Sequence, residues 1–121
     1  HFKFPLAWRL SARSLFEKPA STDFALSLNT TSMDAFENLL KQARANGWTI
    51  MDSSREARHI YLKIPALDKE SYLAVAIKDN LANNNCDLRT RILPYSTKES
   101  RVHLFNLFEK LKNSLNQKDF L

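Results

Sequence analysis

Residues 72–93 read YLAVAIKDNLANNNCDLRTRIL, and this stretch decides the fold. Leu73, Val75 and Ile77 alternate with Ala74, Ala76 and Lys78, and Cys86, Leu88, Thr90 and Ile92 alternate with Asp87, Arg89 and Arg91. A period of two marks a strand with one buried face. The segment Asp79–Asn85 between them is rich in asparagine, which tolerates the backbone angles of turns. The stretch is therefore a hairpin of two long strands.

Upstream of it, Ile60, Leu62 and Ile64 alternate up to Pro65, which closes a strand by lacking the N–H that pairing needs. Trp48 and Ile50 open another strand, separated from it by a polar turn around Asp52–Glu56. Further upstream, Phe24, Leu26 and Leu28 define a first strand over about 23–29. Between it and Trp48, Met33, Phe36, Leu39, Leu40 and Ala43 recur at helical spacing, with Thr31 or Ser32 as N-cap. Gly47 ends that helix, because it carries no Cβ to oppose the positive φ found just past helix C-termini.

Downstream, Ser96-Thr97-Lys98-Glu99 has the form of a capping box for a long last helix. Val102, Phe105, Phe108, Leu111 and Leu115 are expected to form its buried stripe, widened by Leu104 and Leu107. The order is β-α-β-β-β-β-α. It implies an α+β fold in which an antiparallel sheet of four to five strands carries two helices on one face. The expected core is Phe24, Leu26, Leu28, Phe36, Leu40, Trp48, Ile50, Ile60, Leu62, Leu73, Val75, Ile77, Leu88, Ile92, Val102, Phe105, Phe108 and Leu111. Residues 1–22 form an irregular N-terminal arm interrupted by Pro5 and Pro19, with room for a short helix around Leu10–Phe16; residues 23–121 form a single domain.

A domain of 121 residues buries roughly two-thirds of the surface its unfolded chain exposes, so it needs no staple. The only cysteine, Cys86, has no partner for an internal disulfide and no companion at metal-ligand spacing; it reads as a small buried hydrophobe. One glycine in the whole chain rules out Gly-rich phosphate loops. The formal charge of +5 favours anionic surfaces, but the signs are interspersed. No apolar run approaches the ~20 residues of a membrane-spanning helix. The chain starts at His1 without an initiator Met, and a removed upstream segment is the expectation.

The helix over Met33–Asn46, the Gly47-Trp48 junction, the following β-meander and the closing helix over Ser100–Asn116 resemble helix-grip domains of the bacterial cell envelope. The lipoprotein component of the outer-membrane β-barrel assembly machinery is an example. The resemblance implies a tethered scaffold or accessory protein with no cofactor and no catalytic residues. Cys86 lies deep in the domain, so any lipid-attachment site belongs upstream of His1. Cell-envelope or secreted placement is favoured over cytoplasmic.

His1, His59 and His103 stand apart, no metal site is expected, and no nucleophile elbow or other catalytic setting is present. Asp68 and Glu70 read as solvated loop carboxylates rather than a catalytic pair. Asn29-Thr30-Thr31 satisfies the glycosylation pattern, but use of it is not expected at a strand-to-helix junction.

Two regions carry the binding expectations. Alternation sends His59, Tyr61, Lys63, Tyr72, Lys78, Arg89 and Arg91 to the sheet face away from the helices, a mixture of cations and aromatics suited to an anionic ligand such as single-stranded nucleic acid. The N-terminal segment alternates Phe2, Phe4, Leu6, Trp8 and Leu10. It either adds a strand or packs across the core, docks on a partner through Phe2, Phe4, Trp8 and Arg9, or rests in a membrane interface. The leading expectation is a noncatalytic protein-interaction or scaffold module associated with the cell envelope, with a nucleic-acid-binding module as the alternative. A carrier with an apolar ligand between helix and sheet ranks third.

Overall fold

The structure, a computed structural model, describes residues 6–65, 67, 70–94 and 96–116. It is α+β, with a five-stranded antiparallel sheet and three helices. In chain order the elements are α1 (Leu6–Glu17), β1 (Phe24–Leu28), α2 (Ser32–Ala45), β2 (Thr49–Ser54), β3 (His59–Lys63), β4 (Tyr72–Asn80), β5 (Asn85–Leu93) and α3 (Lys98–Leu115). The strands lie in the order β1-β5-β4-β3-β2. A meander therefore runs from β2 to β5, and β1 closes onto its far side, with Leu26 opposite Leu88.

The alternation that predicts the β4–β5 hairpin is the alternation observed. Leu73, Val75 and Ile77 oppose Ile92, Thr90 and Leu88, and all are buried beneath α2 and α3. Asn84 takes the left-handed backbone at φ +55° in the turn, a conformation asparagine adopts more readily than most residues. Thr31 caps α2, its hydroxyl accepting from the Asp34 amide. At the other end the Gly47 amide donates to Arg44 O and the Trp48 amide to Ala43 O, the paired bonds of a Schellman motif, with Gly47 at φ +74°. This motif delivers Trp48 into the core beside Phe108.

Three expectations are corrected. The capping box of α3 is built one residue later: Thr97 is the N-cap, and Ser100 rather than Glu99 supplies the reciprocal side chain. Val102 and Phe105 are not core residues; they are 52% and 47% exposed. The reason is helical geometry. Steps of three residues lag a full turn by about 60° each, so Val102, Phe105 and Phe108 fan across the helix surface. Leu104, Phe108 and Leu115 are buried on one stripe with Leu111 partly buried beside them.

The third correction concerns the N-terminal region. Leu6–Glu17 is a continuous helix rather than an irregular arm or an added strand, and it is longer than the short helix expected around Leu10–Phe16. It lies on the sheet face opposite α2 and α3, burying Ala12 and Leu15 against Tyr61, Ala74, Ala76 and Leu93. Small side chains on both partners, Ala12 on the helix and Ala74 and Ala76 on β4, let the helix approach the strands closely. Both faces of the sheet are therefore covered.

Candidate functional site

The residues expected on the second sheet face do share it. Pairing places His59 opposite Ala76 and Ala76 opposite Arg89, and Tyr61 opposite Ala74 and Ala74 opposite Arg91. That face is not an open platform, because α1 lies across it. Tyr61 is only 4% exposed. Arg91 donates from Nε and Nη2 to the two carboxylate oxygens of Asp23, both at 2.7 Å, and from Nη1 to Ser14 Oγ at 2.6 Å. Hydrogen bonding to Asp23 is the main reason the Arg91 pKa is pushed up further. Arg89 donates to the Leu15 carbonyl at 3.1 Å and sets its guanidinium 4.4 Å from the Phe16 ring centroid.

The other members are divided. Lys78 is exposed and its Nζ lies 5.8 Å from the same Phe16 ring, while Lys63 stands 5.7 Å from the ring of Tyr72. His59 is half-buried beside Asp52, Ser53 and Ser54, and burial, with the nearby charge of Arg13, lowers its pKa. The cations that suggested an anionic ligand thus serve largely as attachments for α1. Of the expected docking residues, Trp8 and Arg9 fall in α1, and Phe2 and Phe4 lie outside the described residues.

Cys86 is fully buried, and burial, helped by the charges of Asp79 and Asp87, pushes its thiol up to about 12. A thiol so held stays protonated near neutrality and is a poor nucleophile. Among the described residues no group of three His, Cys, Asp or Glu side chains is placed to hold a metal ion, and no helix is long and apolar enough to cross a membrane.

The site that stepwise sequence reading missed lies at the β1 side of the sheet. Val102 and Phe105 project from the first turns of α3 over Phe24 of β1, and the Phe24 and Phe105 rings meet edge-to-face with centroids 5.3 Å apart. Beside them opens a cleft of about 330 Å³. Its lining includes Phe24, Ile92, Val102, Leu104, Phe105 and Thr90, with Arg101, Asp23, Thr22 and Ser21 around it. Thr90 is fully buried, and its Oγ1 has no hydrogen-bond partner.

The cleft borders an edge strand, and the two edges of the sheet differ. On β2, a bulge between Ile50 and Asp52 breaks the ladder and a carboxylate sits in the strand, both ordinary protections against further pairing. β1, with the sequence FALSL, has no charge, no proline and no bulge. None of the described residues pairs with its outer side.

No known protein family and no curated protein matches the chain.

Proposed function

We propose that the chain is a noncatalytic protein-interaction module that docks an extended segment of another protein along β1, with a side chain of that segment entering the cleft beside α3. The observation that carries this reading is the juxtaposition of an edge strand whose outer side pairs with none of the described residues and a half-exposed apolar pair, Val102 and Phe105. Strand addition to an open sheet edge supplies main-chain hydrogen bonds, and a neighbouring pocket supplies selectivity. The resemblance to helix-grip envelope domains supports a scaffold or accessory role in the cell envelope for this module.

Magnitudes decide how much of the surface must be used. Seating one aromatic side chain buries ~150–250 Å² of that side chain, worth about 4–6 kcal/mol at ~25 cal/mol per Å². Association itself costs roughly 4–15 kcal/mol. The cleft alone therefore does not hold a partner; pairing along β1 must add its own increments of ~0.5–1.5 kcal/mol per hydrogen bond. Edge and cleft act as one site.

Nucleic-acid binding through the second sheet face ranks behind this reading, since Tyr61 is buried there and Arg91 is held by Asp23. The test is site-specific photo-crosslinking in source cells, with the crosslinker placed at exposed Ala25 on β1 or at exposed Ser53 on β2. A discrete protein adduct from Ala25 and none from Ser53 is expected. Adducts that disappear with nuclease would move nucleic acid to first place, and equal labelling from both edges would overturn the β1 site.

A further inference from the structure

We infer that the segment docked along β1 is a partner's free C-terminus, with a large apolar last side chain seated in the cleft and its α-carboxylate paired with Arg101. This rests on the docking reading above and names the partner's chemistry.

The cleft lies at the Phe24 end of β1, where residues 21–24 face Ile92 of β5 and the first turns of α3. At the other end of the strand the Asn29 amide donates to Asn116 Oδ1 at 2.8 Å. Since Phe105 meets Phe24, α3 runs alongside β1 from the cleft towards Asn29. Every pairing among the described strands is antiparallel. A segment added to β1 in the same sense runs from Leu28 towards Phe24 and brings its C-terminal end to the cleft.

Directly opposed residues of paired strands point to the same side of the sheet. A residue opposite Phe24 therefore turns its side chain towards α3, onto the Phe24 and Phe105 rings. Phe24, Ile92, Val102, Leu104 and Phe105 line that space, so the side chain that fills it is apolar; a polar one would lose water there without gaining a partner.

The charges around the cleft select the end group. Asp23 is clamped by both its oxygens to Arg91. Arg101 donates to Ser96 Oγ at 3.2 Å and forms no ion pair with any described carboxylate. It stands four residues before Phe105, one turn closer to the start of α3 on the same side of the helix. That is the end at which an antiparallel segment leaves β1. In an extended segment the residue next to the anchor points to the opposite face, so an acidic neighbour turns away from α3. The anchor's own α-carboxylate lies on the main chain just past the seated side chain, and a guanidinium can take it in two parallel hydrogen bonds.

A free apolar acid matches the same groups less well, because small-molecule pockets enclose most of their ligand and the walls at Val102 and Phe105 are half-exposed. A segment that continues along β1 does not depend on enclosure. A second copy of this chain cannot supply the anchor from its own β1: Leu26 and Leu28 are buried in the core, Phe24 is packed on α3, and the remaining side chains are Ala25 and Ser27.

The experiment selects random ten-residue peptides, displayed with free C-termini, against the whole chain. Binding of the selected sequences is then measured by fluorescence polarisation, each as the free acid and as the C-terminal amide. Leucine, isoleucine or phenylalanine is expected at the last position. Amidation should weaken binding about tenfold, as should Arg101→Gln, and the two changes together should cost no more than either alone. Arg101 is partly exposed and outside any ion pair with the described carboxylates, so Arg101→Gln keeps the fold; thermal unfolding verifies this.

Peptides that bind equally as acid and amide but are lost with Phe105→Ala would overturn the C-terminal anchor and leave the docking reading standing. An acid-to-amide difference that survives in Arg101→Gln would overturn the pairing with Arg101. No enrichment, or binders indifferent to Phe105→Ala, would overturn both readings. A small amphiphile co-purifying with the chain in native mass spectra and lost in Phe105→Ala, or a dimer abolished by Ala25→Pro, would overturn the peptide as occupant.

Discussion

On the face under α2 and α3 the sheet is closed by large apolar side chains, Phe36, Leu39 and Phe108 among them, whereas on the face under α1 it is closed by small residues, Tyr61 and guanidinium groups. The first cover is held by area removed from water. The second adds directed contacts, in which Arg89 and Arg91 reach backbone and side-chain oxygens of the α1 region. Alternation along a strand separates two faces but does not say what lies against the second. Cations on that face fit a bound polymer and a covering helix equally well, and the packing decides.

Four substitutions test this contrast. The largest loss is expected at Phe108, fully buried against Phe24 and Trp48: Phe108→Ala should cost about 3–5 kcal/mol in urea unfolding. A loss under 1 kcal/mol would mean that the α3 face is not the main core. Arg91→Ala comes next, because it leaves Asp23 unpaired with its side chain 6% exposed; about 2–3 kcal/mol is expected, between the values for surface and fully buried pairs. Faster hydrogen exchange in α1 than in α3 should accompany it, and equal exchange in both helices would break the contrast.

Phe105→Ala should cost about 1 kcal/mol, since the ring is half-exposed and loses chiefly its edge-to-face contact with Phe24. A loss as large as that at Phe108 would place Phe105 in the core and remove the cleft's exposed wall.

The smallest effect belongs to His59. Its folded pKa lies below the ordinary 6.5, so between the two values the unfolded chain binds more protons than the folded one. The stability contributed by this histidine is therefore full above pH 6.5 and falls as pH drops towards the folded value. His59→Gln should flatten that part of a pH series of melting temperatures, and an unchanged slope would assign it to other groups.

Much of the fold was legible because each element carries its own local signal. Gly47 announces the Schellman end of α2, and Thr31 its start. The β4–β5 alternation fixes which side chains meet the core. Two features were hidden. The strand-like spacing of Phe2, Phe4, Leu6, Trp8 and Leu10 competes with the helical spacing of Ala12, Leu15 and Phe16, and an alanine is easily passed over as an anchor. The cleft was hidden because apolar residues at three-residue spacing were all assigned to one stripe of α3, although Val102 and Phe105 turn away from it. An exposed aromatic has the same letter as a buried one.

The pairing of β1 with β5 also joins segments that lie far apart along the chain. Among the described strands the first is completed by the last, with α2 and the strands β2 to β4 between them in sequence. The meander from β2 to β5 forms from neighbouring segments, but closing β1 onto it requires a long loop and is entropically the slower event. The edge strand proposed as the docking site is thus the one whose pairing carries the largest loop-closure cost among the described strands.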